Sequence, residues 1–106
     1  MGKTIRSHAV LVIALSLTGV LSFAQPGEAV YKAKCQACHG ADGMGNTAVG
    51  RALKVRSVND PAVRASDEAQ MTETTRNGVG RMQAFRGELT DAQIKDAVTY
   101  FRALAK

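Results

Sequence analysis

Residues 35–45 read CQACHGADGMG, and this stretch holds both cysteines of the chain, one of its two histidines and one of its four methionines. Two thiols three positions apart fit half a zinc site, a redox disulfide or the anchor of a prosthetic group. A structural zinc site needs about four protein ligands. Beyond Cys35, Cys38 and His39 the chain offers only His8, which precedes the uncharged run Ala9–Phe23. A thiol–disulfide enzyme sets C-x-x-C after a strand and at the start of a helix, where the dipole lowers one thiol's pKa. Here helix formers precede the pair, glycines follow it, and no strand-helix-strand pattern surrounds it.

The third alternative takes the string as it stands. C-x-x-C-H supplies two thiols that add across the vinyl groups of a haem, and the next residue, histidine, ligates its iron. One helical turn separates Cys35 from Cys38, so the two can tether neighbouring edges of one porphyrin with His39 under the metal. Such attachment is made outside the cytoplasm, and the N-terminus agrees with export. Lys3, Arg6 and His8 make a positive start, Ala9–Phe23 (AVLVIALSLTGVLSF) is mostly apolar, and Ser22-Phe23-Ala24 has the small-x-small form that signal peptidase cuts after. As a helix this run spans roughly 22 Å, short of the ~30 Å hydrocarbon core. Ser16, Thr18, Gly19 and Ser22 weaken it further. Residues 1–24 therefore read as a secretory signal rather than a membrane anchor, and residues 25–106 as the mature domain.

That domain has 82 residues, four aromatics (Tyr31, Phe85, Tyr100, Phe101) and no Trp. So thin a core usually needs a staple, and a flat, largely apolar macrocycle bonded to the chain is one. The formal charge of +5 falls once Lys3 and Arg6 are removed: twelve Lys and Arg against nine Asp and Glu leave +3. This is not a nucleic-acid binder's balance.

The mature sequence carries helical signals and no strand-like alternation long enough for a sheet. Pro26 suits a first helical turn, and Glu28–Cys35 (EAVYKAKC) spaces Val30, Tyr31 and Cys35 onto one face. Residues 39–50, with Gly40, Gly43, Gly45 and Gly50, read as a loop. Asn59-Asp60-Pro61 caps a short helix over AVRA, and Ser66 is expected to cap DEAQMTETTRN, which stops at Gly78. Thr90 and Gln93 form a capping-box pair with Leu89 and Ile94 at the staple positions. Ile94, Ala97, Val98, Phe101, Leu104 and Ala105 then recur along one stripe, with Lys95, Asp96 and Arg102 away from it.

Three methionines compete for the sixth iron position. Met44 follows His39 by five residues, a reach of at most about 17 Å, and reads as a loop residue at the haem rim. Met71 falls in a helical segment, where a lone Met usually fills core. Met82, in NGVGRMQAFRG, follows two glycines and lies forty-three residues beyond His39, far enough to run round a haem. It is the expected ligand.

CQACHGADGMG, the glycine-preceded methionine followed by A-F, and LTDAQIKDAVTYFRAL as closing helix together resemble the class I c-type cytochromes, most closely the small soluble single-haem ones. The likeness runs over essentially the whole mature chain. It implies an all-α, small cytochrome c fold of three to five helices wrapped around one covalent haem c. It also implies that first and last helices cross beside the haem, at Gly27, Tyr31 and Tyr100. Two departures stand out. Gln83 follows the methionine where the family often has proline, and Val49-Gly50-Arg51-Ala52-Leu53 lacks the proline whose carbonyl orients the haem histidine, so Arg51 or a neighbour would serve.

The function expected on these grounds is one-electron carriage in the periplasm or another extracytoplasmic compartment, by a monomer with His/Met-ligated iron and no substrate. Its partners would be redox proteins met transiently, with no nucleic acid and no stable membrane insertion. The sequence alone names none of them. The alternative is a haem sensor or peroxidase-like protein with an open sixth position, for which Arg81 and Arg86 are the nearest distal candidates.

Overall fold

The computed structural model describes residues 25–106 and, before them, only Gly2, Ile13, Ala14, Ser16 and Gly19. The expected secretory signal otherwise lies outside the described residues. Six helices follow in order: α1 (Glu28–Lys34), α2 (Gln36–His39), α3 (Ala48–Ala52), α4 (Pro61–Ala65), α5 (Glu68–Asn77) and α6 (Asp91–Ala103). No strand occurs among the described residues, whose only β pairing is an isolated bridge between Val79 and Met82. Among them, too, no helix is long and apolar enough to cross a membrane.

The closing helix sets the frame. Thr90 accepts from the Gln93 amide at 3.1 Å while the Gln93 side chain accepts from the Thr90 amide at 2.9 Å, so the capping box is complete. Ile94, Ala97 and Val98 of α6 are buried, and Ile94 and Val98 form a core with Phe85, flanked by Met71, Met82 and Leu89. Burying Ile94 alone contributes roughly 1.5–3 kcal/mol. Arg102 departs from the expected exposed face. It is half-buried and donates to the Ser66 carbonyl at 2.6 Å, because α5 packs against α6 and brings the α4–α5 junction over it.

Helix α1 crosses α6 at Gly27, whose φ is +84°. A Cβ there would run into the Asp96 carbonyl and the Ala97 amide, so only glycine permits this approach. Gly27 is the N-cap, which leaves Pro26 one position ahead of the helix rather than in its first turn. Across the crossing Tyr31 then meets the tilted ring of Tyr100 (ring centroids 5.2 Å) and stacks on Phe101 (6.2 Å).

Two further starts differ from expectation. Ser66 ends α4, and Asp67 caps α5 through a reciprocal box with Gln70. A carboxylate three residues before a glutamine satisfies two backbone donors, whereas Ser66 satisfies none there. The end of the glycine-rich loop is helical as α3, capped by Thr47, whose hydroxyl accepts from the Gly50 amide at 2.8 Å. Together with the one-turn α2, this raises the helix count from the expected three to five to six.

Candidate haem site

The cysteine turn is built by continuing helix past a joint. Cys35 ends α1 and starts α2, its carbonyl accepting from the Cys38 and His39 amides at 3.2 and 2.9 Å. The turn is then fixed from outside. Tyr31 donates its hydroxyl proton to the Gly40 carbonyl at 2.6 Å, Thr47 donates to the Ala37 carbonyl at 2.7 Å, and the Gly45 amide donates to the His39 carbonyl at 2.7 Å. Phe101 meets the His39 ring edge-on at 5.1 Å, so α6 also fixes the imidazole plane.

The methionine segment is pinned to α5. Gly78 ends that helix at φ +76°, where a Cβ would meet the Met82 carbonyl and Ala84 amide at 2.8 Å. Val79 and Met82 exchange backbone hydrogen bonds of 3.1 and 2.9 Å, and the Phe85 and Arg86 amides donate to the Thr75 and Arg76 carbonyls. Met82 is thus carried on a short loop that is closed on itself and tied at both ends.

Between these two constructions lie adjoining cavities. The smaller one, about 270 Å³, is lined by Tyr31, Cys35, His39, Met71, Met82 and Phe101 among others. The larger one, about 630 Å³, takes in Cys35, Cys38, His39, Leu53, Met82 and Phe85. Cys35, His39, Met82 and Arg56 border both. The three methionines therefore part company. Met44 is half exposed, borders neither cavity and donates its amide to Asp42. Met71 borders the smaller cavity only, and its sulfur lies 3.8 Å from the Arg102 guanidinium. Arg81 borders the larger cavity, whereas Arg86 borders neither.

The donor chemistry suits a haem. Both cysteines are free and half-buried. Burial pushes the Cys35 thiol up to about 11, with Cys38 adding to the shift, which is the opposite of a reactive redox cysteine. Burial pushes the His39 imidazole down, keeping it neutral with a lone pair to donate. His39 Nδ1 is buried without a hydrogen-bond partner. The Arg51 carbonyl, one of those expected to orient it, instead accepts from Leu53 and Lys54 at the tightened end of α3. A half-buried histidine beside two thiols, bordering an apolar slot, could hold the iron of a macrocycle that the thiols tether. No three His, Cys, Asp or Glu side chains cluster as a metal site of their own among the described residues.

Arg56, which no motif marks, also borders both cavities. It sits in an irregular stretch with no motif around it, and only the fold brings it to the slot.

Residues 22–101 match the family model described as cytochrome c oxidase, cbb3-type, subunit III. Fold, site and match define the class: the chain belongs to the cytochrome c family. Among curated relatives, cytochrome c6 of Leptolyngbya boryana is 36% identical, over 73% of this chain and 87% of its own. The cbb3-type oxidase subunit CcoP of Azospirillum brasilense is 35% identical over 76% of this chain, which spans only 28% of that subunit's length. Of solved structures, the c-type cytochrome KustC0563 superposes with a TM-score of 0.68 at 29% identity, covering 76% of this chain and 98% of its own. Cytochrome c6 from the diatom Phaeodactylum tricornutum gives 0.57 at 28% identity, covering 76% and 91%. The cofactor of the family is covalent haem c with its iron.

Proposed function

We propose that the chain is an exported monohaem carrier of single electrons between redox proteins. In it Cys35 and Cys38 hold the haem, and His39 and Met82 ligate its iron. Residues 1–24 are its secretory signal, and residues 25–106 work as a monomer in an extracytoplasmic compartment such as the periplasm, without stable membrane insertion. The observation that carries the reading is that Cys35, His39 and Met82 border both parts of the slot, whereas Met71 borders one and Met44 neither.

The haem, when bound, supplies an iron that gains and loses one electron without breaking a bond. The chain does the rest. The Cys35 and Cys38 sulfurs tether, and Phe101 and the Tyr31–Gly40 hydrogen bond hold His39 in place. Phe85, Ile94 and Val98 exclude water behind Met82. A thioether ligand in a dry pocket favours the ferrous state, so the potential should be positive.

The test is the visible spectrum of purified holoprotein. Split low-spin ferrous bands that survive acid–acetone extraction, with a weak far-red sulfur-to-iron band in the ferric form, are expected. Met82→Ala should abolish the far-red band and Met71→Ala should keep it. Ready binding of carbon monoxide by the unmodified ferrous protein at neutral pH would instead mean an open sixth position.

A further inference from the structure

We propose that Arg102 sets the reduction potential of the haem iron: its half-buried guanidinium, held without a carboxylate partner behind the wall of the slot, favours the ferrous state. The proposal rests on the carrier reading above and adds to it the residue that tunes the carrier.

Arg102 stands in the last turn of α6, where any cation suits the helix dipole. Pointing into solvent would keep that benefit together with full hydration. The side chain turns inward instead. Its Nη1 donates to the Ser66 carbonyl at 2.6 Å and lies 3.8 Å from the Met71 sulfur. Ser66 and Met71 both line the smaller cavity, as do Val98 and Phe101 of α6 itself. The guanidinium is thus one side chain behind the slot.

Its charge is left uncompensated. Among the lysines and arginines of residues 25–106 only Arg76 and Arg102 are half-buried; the others are exposed, so solvent and salt screen them. Arg76 is paired with Glu73 and Asp91. Arg102 makes no ion pair among the described residues, and no Asp or Glu lines the smaller cavity. Asp67, next to Ser66 in the chain, directs its carboxylate to the Gln70 amide as the cap of α5. A carbonyl satisfies one of the five N–H donors that a guanidinium carries, and a neutral acceptor leaves the net charge in place.

A charge held partly out of water acts more strongly on its surroundings than one in solvent. Ferric iron carries one positive charge more than ferrous iron, so a fixed cation behind the slot disfavours the ferric form and raises the potential. The step served is the gain of one electron by ferric iron from a partner protein; no bond forms or breaks and no proton moves. A guanidinium stays protonated wherever the protein is folded, so the contribution is permanent rather than switched. Arg102 also clamps α6 to the α4–α5 junction, and the two roles are separated by keeping the charge without the fork or a donor without the charge.

Holoprotein is titrated by spectroelectrochemistry at about 0.1 M salt. Arg102→Gln, which keeps a donor but no charge, is expected to lower the midpoint, so that at the parent's midpoint the ferrous-to-ferric ratio falls about threefold or more. Arg102→Lys, which keeps the charge but loses the fork, should stay near the parent. Lys95→Gln removes an exposed charge from the same helix and should leave the midpoint unchanged. The shift should persist at about 1 M salt, where the Debye length is ~3 Å. Retention of the far-red band in each variant shows that sulfur ligation survives, and Arg102→Met serves where Arg102→Gln does not hold the haem. Equal lowering by Arg102→Gln and Arg102→Lys would make the residue a clamp only and overturn the proposal. An unchanged midpoint in the uncharged variants, or a shift that vanishes at high salt, would overturn it too. Unmodified holoprotein that gives no reversible one-electron titration would instead overturn the carrier reading.

Discussion

Tyr31 donates to the Gly40 carbonyl at 2.6 Å, one residue beyond His39, while its ring fills the crossing of α1 and α6. Read from sequence it is core, and its 1% exposure agrees. The hydroxyl makes it a positioning residue as well, tying the crossing to the turn that carries the histidine. Burial holds its phenol well above the ordinary value of 10, so the folded protein resists an ionisation that the unfolded chain undergoes near pH 10. The folded pKa is raised, so this stability is full below about pH 10 and is lost as pH rises beyond it. Tyr31→Phe should cost about 1–2 kcal/mol at neutral pH, from the unpaired Gly40 carbonyl, and should flatten the alkaline limb of the stability profile. Urea titrations at neutral pH and at about pH 11 check both; an unchanged alkaline limb would refute the assignment to Tyr31. Gly27 offers a steric counterpart: Gly27→Ala combines a left-handed backbone with a backbone collision and should cost roughly 2–4 kcal/mol in the same titration. At this scale the motif residues were legible because the chemistry of C-x-x-C-H is local. Arg56 was not, because nothing within its own stretch distinguishes a cation at the slot from one in solvent.

Element by element, legibility followed how local the determinants are. The start and core face of helix α6 could be read, since its capping box, its staple and most of its apolar stripe are local, although the stripe expected to reach Ala105 outruns the helix, which ends at Ala103. Helix α3 could not: Gly50 sits inside it, against the Cys38 and Gly45 carbonyls, and the Thr47 hydroxyl that caps it also binds the cysteine turn ten residues back. That helix is specified by contacts the local pattern does not contain. The start of α5 lay one residue from its expected position because Ser66 and Asp67 are both good caps, and only Asp67 has its glutamine three residues on. The methionine loop gives this scale its prediction. Gln83 is exposed, its amide makes no backbone hydrogen bond, and Met82 before it is paired in the bridge with Val79 rather than held in a helix. A proline should therefore be accepted without loss of a bond. Gln83→Pro should stabilise the protein by about 0.4–1 kcal/mol, chiefly by restricting the unfolded chain. Thermal loss of the far-red band should move to higher temperature, and a shift downward would mean that the loop needs the freedom glutamine leaves it.

At the scale of the whole molecule the helices surround their largest apolar surface instead of closing on it. Tyr31, Val58, Phe85, Ile94, Ala97 and Val98 make up the buried apolar set of the described residues, while Met71, Met82, Leu53 and Phe101 remain half-buried around the slot. A chain of this size draws only about 3–5 kcal/mol from a single core even when that core is filled. A haem tethered by the two cysteines would supply that filling, and folding would then depend on its attachment. It follows that Cys35→Ala with Cys38→Ala, which leaves His39 and Met82 in place but removes both tethers, should give a haem-free chain with little far-UV helix signal and no cooperative urea transition. Free haem added to that chain should restore part of the helix signal through His39, and further mutation of His39 to alanine should abolish the rescue. A haem-free chain that unfolds cooperatively, with a urea dependence appropriate to all of residues 25–106, would show that the six buried residues suffice and that the cofactor only occupies a fold already made.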